Sequence, residues 1–263
     1  MIIGDFLVQV DSRATHQTIS CSLKLSEEPA MRPRAVIFDL DGTITHFNID
    51  YVGMRRAALA ELDKMNLRTP ELTEQLYLYV MLQKVRTTAD AATYEELRER
   101  LYGRLEEMEI KAAREVTLYP DVEMMLRELR DRHIKLGLVT NNGRAGTNLT
   151  LDRFRIRTLF DAIVTRDDCR EMKPDAAPVI MVLTELNAQV EEAILVGDGV
   201  MDMIAAKAAG LRSAAVATGP SGMQHLLQTE PDYVLASISD LLELVDLLES
   251  ENDQNASKTN MAP

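Results

Sequence analysis

Asp39 and Asp41 stand one residue apart at the end of a short apolar run, in the stretch VIFDLDGTITHF at residues 36–47. Two neighbouring carboxylates repel each other unless a cation offsets their charge. Asp198 and Asp202 supply two more carboxylates in the stretch GDGVMD. Hard oxygen ligands of this kind suit Mg²⁺. The two stretches together therefore predict a magnesium site that draws on all four aspartates.

An aspartate held ionised beside a metal ion can attack phosphorus, and carboxylate nucleophiles that form aspartyl-phosphates are a known catalytic type. Asp39 is the candidate nucleophile, and Asp41 could protonate the leaving oxygen and later activate water. Groups suited to phosphate oxygens occur further along the chain, at Thr140, Asn141 and Lys173. The set predicts phosphoryl transfer.

Each of these motifs alone has a simpler interpretation. The first is compatible with an ordinary strand-to-loop turn, whereas a calcium loop fails because Gly42 comes two residues too early. The run TNNG at residues 140–143 is typical of a turn. A single lysine is usually a solvated charge, and aspartates near a helix start can simply cap it. The combination of all four motifs favours a catalytic site.

The charge, the apolar runs and the cysteines of the chain limit the kinds of partner and compartment that we expect. The chain has 263 residues and a formal net charge of -13, so we expect no binding to nucleic acid. No apolar run is long enough to span a bilayer, so we expect no membrane association. Two cysteines without metal-ligand spacing favour a reduced, cytoplasmic setting. No feature of the sequence predicts an oligomeric state.

Short apolar runs alternate with helical patterns after residue 33, which predicts an α/β fold with a parallel sheet covered on both faces. Ligands bind at the carboxyl ends of strands in such sheets, where the motif residues stand. The predicted strands are residues 34–39, 134–140, 161–165, 193–197, 213–217 and 232–235. The predicted helices between them are residues 121–132, about 145–155, 176–187, 201–209 and 237–249.

Three further segments interrupt or flank this alternation. After the first strand, helical patterns at 51–65, 71–86 and 91–113 predict a helical insert. Residues 1–33 are an N-terminal extension, either a poorly ordered leader before a start at Met31, which we favour, or an appended hairpin. The polar residues 250–263 are expected to form a disordered tail.

The four motifs DLDGT (39–43), VTNN (139–142), KP (173–174) and GDGVMD (197–202) resemble, in order, those of the haloacid dehalogenase superfamily, and within it the phosphoglycolate phosphatase-like hydrolases with a helical cap. The resemblance covers about residues 34–249. It implies a Rossmann-like core at 34–43 and 119–249, with a helical cap at 44–118. The dehalogenase branch lacks the second aspartate, so Asp41 favours phosphate ester hydrolysis.

The resemblance also implies the role of each motif residue. Asp39 is the nucleophile and Asp41 the general acid and base. Mg²⁺ is held by Asp198 directly, beside the Asp39 carboxylate and the Asp41 backbone carbonyl, and Asp202 binds the metal or orients its waters. Phosphate is held by Thr140 and Lys173, with Asn141 assisting.

The sequence departs from the family where the chain enters the cap, because Ile44–Phe47 replaces the usual Val-Asp-Ser, so the usual substrate is not assumed. Candidate substrate contacts near this entry are His46 and Arg55. The leading hypothesis is a Mg²⁺-dependent phosphatase acting on a small phosphorylated metabolite. The alternatives are a sugar-phosphate mutase of the β-phosphoglucomutase type, a pyrophosphatase or nucleotidase, and a non-catalytic binding protein.

Overall fold

A six-stranded parallel sheet forms the centre of the molecule. The computed structural model describes residues 32–219 and 222–259, so both interpretations of the N-terminal extension concern residues that lie almost wholly outside the described part. The strand order is β3-β2-β1-β4-β5-β6, in the Rossmann-like α/β arrangement expected from the sequence. The strands are β1 Ala35–Phe38, β2 Lys135–Val139, β3 Ala162–Val164, β4 Ala193–Gly197, β5 Arg212–Val216 and β6 Tyr233–Leu235.

Helices cover both faces of the sheet. Val36 and Phe38 of β1 face one apolar cluster, whereas Ala35 and Ile37 face the other. All four side chains are fully buried, which is why β1 reads as an uninterrupted apolar run. The helices are α1 Tyr51–Lys64, α2 Leu78–Arg86, α3 Ala91–Glu115, α4 Val122–Asp131, α5 Arg144–Arg153, α6 Ala177–Leu186, α7 Val200–Ala209, α8 Met223–Leu227 and α9 Leu241–Thr259.

Helices α1–α3 lie between β1 and β2 in the chain and have an apolar core of their own. That core includes Leu59 of α1, Leu82 of α2 and Leu97 of α3, all buried. Met172, from the loop after β3, packs into the same cluster. The helical segment therefore rests on the loops at one end of the sheet.

Three neighbouring strands bring the motif residues together. β1 pairs with β2 on one side and with β4 on the other, so that Phe38 lies beside Leu138 and Val196. Because all three strands are parallel, the residues that follow them emerge at the same edge. Asp39, Thr140 and Asp198 each come directly after one of these strands.

Two predicted helices have different bounds in the structure. Helix α2 begins at Leu78, seven residues later than predicted, because residues 71–77 form turns that still bury Leu72 and so give the same apolar spacing. Helix α9 runs to Thr259, so the tail predicted to be disordered is helical as far as the structure describes it. Each residue added to a formed helix contributes one backbone hydrogen bond, and this bond forms with polar side chains as well as with apolar ones.

The strands agree with their predicted positions to within one or two residues. In the part of the chain that is described, no helix combines the length and apolar character needed to cross a membrane.

Candidate active site

Lys173 lies at the centre of the motif residues. Its Nζ donates to Oδ1 of Asp39 and to Oδ1 of Asp202, at 2.6 Å in each case. A third hydrogen bond, of 2.9 Å, runs to the carbonyl oxygen of Val139 at the end of β2. All three donors of the ammonium group are thus used. A single lysine is usually a solvated charge, but Lys173 is only 2% exposed.

Asp39 and Asp202, which accept from this ammonium group, lie close to Asp198, and we call these three residues the carboxylate triad. Each offers an oxygen within 4.8 Å of the others, and all three residues are buried. One lysine does not balance three buried carboxylates, so the triad retains negative charge when ionised. Closely spaced carboxylate oxygens are the donor set that a hard divalent cation prefers, and the residues therefore fit Mg²⁺.

Burial and mutual repulsion shift the acidities of the triad. Burial raises the pKa of Asp39 to about 7, with the charge of Lys173 opposing and that of Asp202 adding to the rise. Burial likewise raises the pKa of Asp198 to about 9, and the charges of Asp39 and Asp202 add to it. Burial alone would lower the pKa of Lys173, but Asp202 and Asp39 more than offset this and raise it. Lys173 is therefore charged at neutral pH.

The loop after β1 is shaped to approach Asp198. Gly42 has φ +91°, a left-handed conformation that favours glycine, and a Cβ atom there would collide with the Asp198 carboxylate. The next residue, Thr43, donates its hydroxyl to Oδ1 of Asp198 at 3.2 Å. Both residues fix the position of Asp198 relative to Asp39.

Asp41 has surroundings different from those of the triad. Its carboxylate accepts hydrogen bonds from Thr45 Oγ1, at 3.2 Å, and from Asn142 Nδ2. Burial raises its pKa to about 6, while the bonds from Asn142 and Thr45 lower it. The side chain of Asp41, which we predicted among the metal-binding residues, is thus not in the triad.

The turn after β2 joins the loop that carries Lys173. The Asn141 side chain donates to the Lys173 carbonyl and accepts from the Lys173 N–H, each at 3.0 Å. Thr140 accepts a hydrogen bond from the backbone of Asn142 at 3.2 Å. These bonds place Thr140, Asn141 and Lys173, the three predicted phosphate contacts, around one opening beside Asp39.

A buried ion pair that the sequence analysis did not identify connects helix α3 to this turn. Glu109 and Arg166 form two hydrogen bonds of 2.5 and 3.1 Å, with side chains 3% and 2% exposed. Glu109 also accepts from the N–H of Gly143, and Arg166 donates to the carbonyl of Asn141. The sequence did contain a pattern that could have indicated this pair. Glu109 follows Leu101 and Leu105 at the same four-residue spacing, so it places a carboxylate on the apolar face of the helix.

A cavity of about 360 Å³ opens over the carboxylate triad. Arg55 of α1 lines it, with its guanidinium 5.6 Å from the centre of the Tyr77 ring. His46, the other predicted substrate contact, does not line it. The ring of His46 lies 4.0 Å from that of Tyr119, and its backbone N–H bonds to the carbonyl of Thr117. That pairing, made where the chain leaves the sheet, turns His46 away from the cavity.

Residues 36–216 match the family model described as haloacid dehalogenase-like hydrolase. The chain belongs to this family. Among proteins of known name, this haloacid dehalogenase-like hydrolase is similar to the pyrophosphatases PpaX of Anoxybacillus flavithermus and Halalkalibacterium halodurans. It is 30% identical to each, over 82% of this chain and 98% of the relative. The match to PpaX of Bacillus velezensis is 42% identical but spans 49% of this chain and 60% of that protein's length.

Solved structures of other proteins share the fold. A hydrolase from Pseudomonas syringae superimposes with a TM-score of 0.61 at 24% identity, over 81% of this chain and 98% of that one. A predicted phosphoglycolate phosphatase from Haemophilus somnus gives a TM-score of 0.56 at 21% identity, also over 81% and 98%. Identities this low indicate a common architecture and leave the substrate open.

Proposed function

We propose that this chain is a Mg²⁺-dependent phosphatase that hydrolyses a small phosphorylated metabolite through an aspartyl-phosphate at Asp39. The observation that carries the proposal is the buried group formed by the triad and Lys173 at the ends of β1, β2 and β4. A purely structural role would not explain three buried carboxylates around one ammonium, because such a group costs more than it contributes to folding. The two cysteines favour the reduced cytoplasm as the site of action.

Asp39 acts as the nucleophile in this proposal. Lys173 holds its Oδ1, which orients the carboxylate and stabilises its ionised form. The second oxygen of Asp39 then attacks phosphorus in line with the leaving oxygen. The same lysine stabilises the charge on the transferring phosphoryl oxygens, assisted by Thr140 and Asn141.

Asp41 acts as the general acid and later as the general base. Its pKa of about 6 lies near neutral pH, where a carboxyl group can both give and take a proton. Thr45 and Asn142 hold its carboxylate in place. Asp41 donates its proton to the leaving oxygen, and it then removes a proton from the water that hydrolyses the aspartyl-phosphate.

The triad is the proposed Mg²⁺ site, with the backbone carbonyl of Asp41 as a further ligand, and Thr43 orients Asp198 within it. When bound, Mg²⁺ neutralises the triad and stabilises negative charge on the phosphoryl group. We also propose that the chain divides into a catalytic core at 34–43 and 119–249 and a helical cap at 44–118. The cap covers the cavity and excludes water from the reacting group.

Pyrophosphate is the second candidate substrate, because the full-length relatives at 30% identity are named pyrophosphatases. Its chemistry would use the same nucleophile and the same metal site. It differs only in the leaving group, which would be phosphate instead of an alcohol.

Phosphate release from a panel of phosphate esters and pyrophosphate tests the proposal. We expect release that requires Mg²⁺, stops with EDTA and is lost in Asp39→Asn. Asp63→Asn is the matched control, because Asp63 lies on the surface of α1 and its one ion pair among the described residues is with Arg68. Full activity in Asp39→Asn, or equal activity with and without EDTA, would contradict the proposal. Conversion of a sugar phosphate to an isomer without phosphate release would identify a mutase.

A further inference from the structure

The cavity over the triad has two kinds of wall. The sheet edge contributes the carboxylate triad and Lys173, whereas the helical segment and its neighbouring loop contribute most of the apolar and aromatic side chains, together with Arg55 and Glu109. The apolar and aromatic side chains include Phe47, Tyr51, Leu78, Tyr79, Leu105 and Met172. The volume of about 360 Å³ lies within the range of about 300–1,000 Å³ found for pockets that enclose whole ligands. A phosphoryl group beside Asp39 would leave the apolar part for the leaving group.

Two of the three cations that line the cavity are paired with protein carboxylates. Lys173 lies between Asp39 and Asp202, and Arg166 is paired through two hydrogen bonds with Glu109. Arg55 is the one lining cation that makes no ion pair among the described residues, and its guanidinium donates to the carbonyl oxygen of Glu74 at 3.3 Å and lies over Tyr77. A small leaving group with its own negative charge, such as phosphate or glycolate, would therefore enter an apolar space with few partners.

The aromatic walls lie close to the reacting group. The rings of Phe47 and Tyr51 are 5.2 Å apart and tilted by 32°, a spacing that is favourable for aromatic contacts. Burial raises the pKa of Tyr51, and the nearby charges of Asp41 and Asp39 raise it further. An aromatic surface therefore begins beside the catalytic carboxylates, where the leaving alcohol would be.

We propose that the substrate is the phosphate ester of an alcohol with an apolar, ring-bearing body, in preference to pyrophosphate, the second candidate substrate above, and to phosphoglycolate. The inference rests on the proposed phosphatase function and specifies its substrate class. Transfer of the ring out of water and its packing on the aromatic wall both make the binding free energy more favourable. A charged leaving group without a ring makes neither of these contributions to binding.

Benzyl phosphate and ethyl phosphate are a matched pair for the test, because both are esters of primary alcohols and differ mainly in the ring. We expect kcat/KM for benzyl phosphate to exceed that for ethyl phosphate by about tenfold or more, which corresponds to burial of one ring. Pyrophosphate and phosphoglycolate should fall below benzyl phosphate. An equal or higher kcat/KM for either would overturn the inference while leaving the phosphatase intact. No Asp39-dependent release from any compound would overturn the phosphatase itself.

Phe47→Ala tests where the ring binds. It should lower kcat/KM for benzyl phosphate and leave the value for ethyl phosphate nearly unchanged, so that the ratio falls several-fold. Phe154→Ala is the control, because Phe154 is also half-buried but packs against the sheet core outside the cavity. An equal loss for both esters in Phe47→Ala would contradict the proposed contact. The substrate ratio of the wild type decides the matter if this variant does not fold.

Discussion

Asp198 and Asp39 link the stability of the protein to pH. Their pKa values of about 9 and about 7 lie above the ordinary 3.8, because burial disfavours the ionised forms. The folded state therefore binds protons more tightly than the unfolded chain does. This contribution to stability is present at low pH and is lost as the pH rises towards about 9. As the pH rises from about 7 towards about 9, a cation must replace the protons that first Asp39 and then Asp198 lose.

Mg²⁺ should accordingly stabilise the folded protein more at high pH than at low pH. We expect the rise in Tm on adding Mg²⁺ to be larger at about pH 8 than at about pH 5, because the ion must displace protons from the triad at low pH. At a hundredfold excess over its Kd the ion would contribute about 2.7 kcal/mol. Thermal unfolding followed by circular dichroism measures the effect. Asp198→Asn should abolish it, and an equal rise at both pH values would contradict the proposed site.

Asp41→Asn separates catalysis from metal binding. The carboxylate of Asp41 bonds to Thr45 and Asn142 and not to the triad, so this variant should keep the stabilisation by Mg²⁺. Its kcat should fall by about 10²–10⁴-fold, the usual contribution of a general acid or base. Loss of the Mg²⁺ effect together with activity would instead make the Asp41 carboxylate a metal ligand.

The residues of the site differ in how far the sequence could predict them. Asp39, Thr140 and Asp198 follow apolar strands, and the ends of parallel strands meet, so their proximity could be inferred. The contact between Asn142 and Asp41 could not, because it depends on the conformation of two separate turns. The position of His46 outside the cavity could not be inferred either, since the bond of its N–H to the Thr117 carbonyl is a tertiary contact.

At the scale of elements, the Glu109–Arg166 pair fastens helix α3 to the turn after β2. Glu109→Ala would leave the Arg166 guanidinium buried without its partner. We expect the free energy of unfolding to fall by about 3–5 kcal/mol, the usual cost of breaking a buried ion pair. Urea denaturation measures this change.

Glu107→Ala is the matched control on the same helix, because Glu107 is exposed and makes no ion pair among the described residues. It should change stability by no more than about 0.5 kcal/mol. The double variant Glu109→Ala/Arg166→Leu should recover part of the loss, since it removes both buried charges. A loss in Glu109→Ala as small as that of the control would show that the pair does not hold α3 in place.

The presence of the helices was predicted more accurately than the residues at which they begin and end. The turns at 71–77 bury Leu72 and partly bury Leu76, so their apolar spacing cannot be distinguished from that of one more helical turn. At the other end, α9 extends past Ser250 into a polar sequence, because the backbone hydrogen bonds of a helix do not require apolar side chains. Sequence patterns report which side chains are buried, whereas helix ends depend on local hydrogen bonds.

At the scale of the whole molecule, the alternation of strands and helices was enough to predict the sheet and its covered faces. The shape of the cavity was not predictable, because it arises where the helical segment meets the loops of the sheet. Phe47 and Met172 line that cavity from positions 125 residues apart in the chain, which no local pattern connects. The sequence could therefore indicate the chemistry more closely than the substrate.

The net charge of -13 bears on how an anionic substrate reaches the site. Phosphate esters are repelled by the overall field of the protein, and Lys173 attracts them only at short range. At saturating Mg²⁺ we therefore expect kcat/KM to rise a few-fold as ionic strength increases to about 0.15 M, where charges are screened beyond about 8 Å. Stopped-flow or steady-state assays in KCl would measure this, with kcat nearly unchanged. A steady fall of kcat/KM with salt would show that the mouth of the cavity is locally positive and attracts substrate despite the net charge.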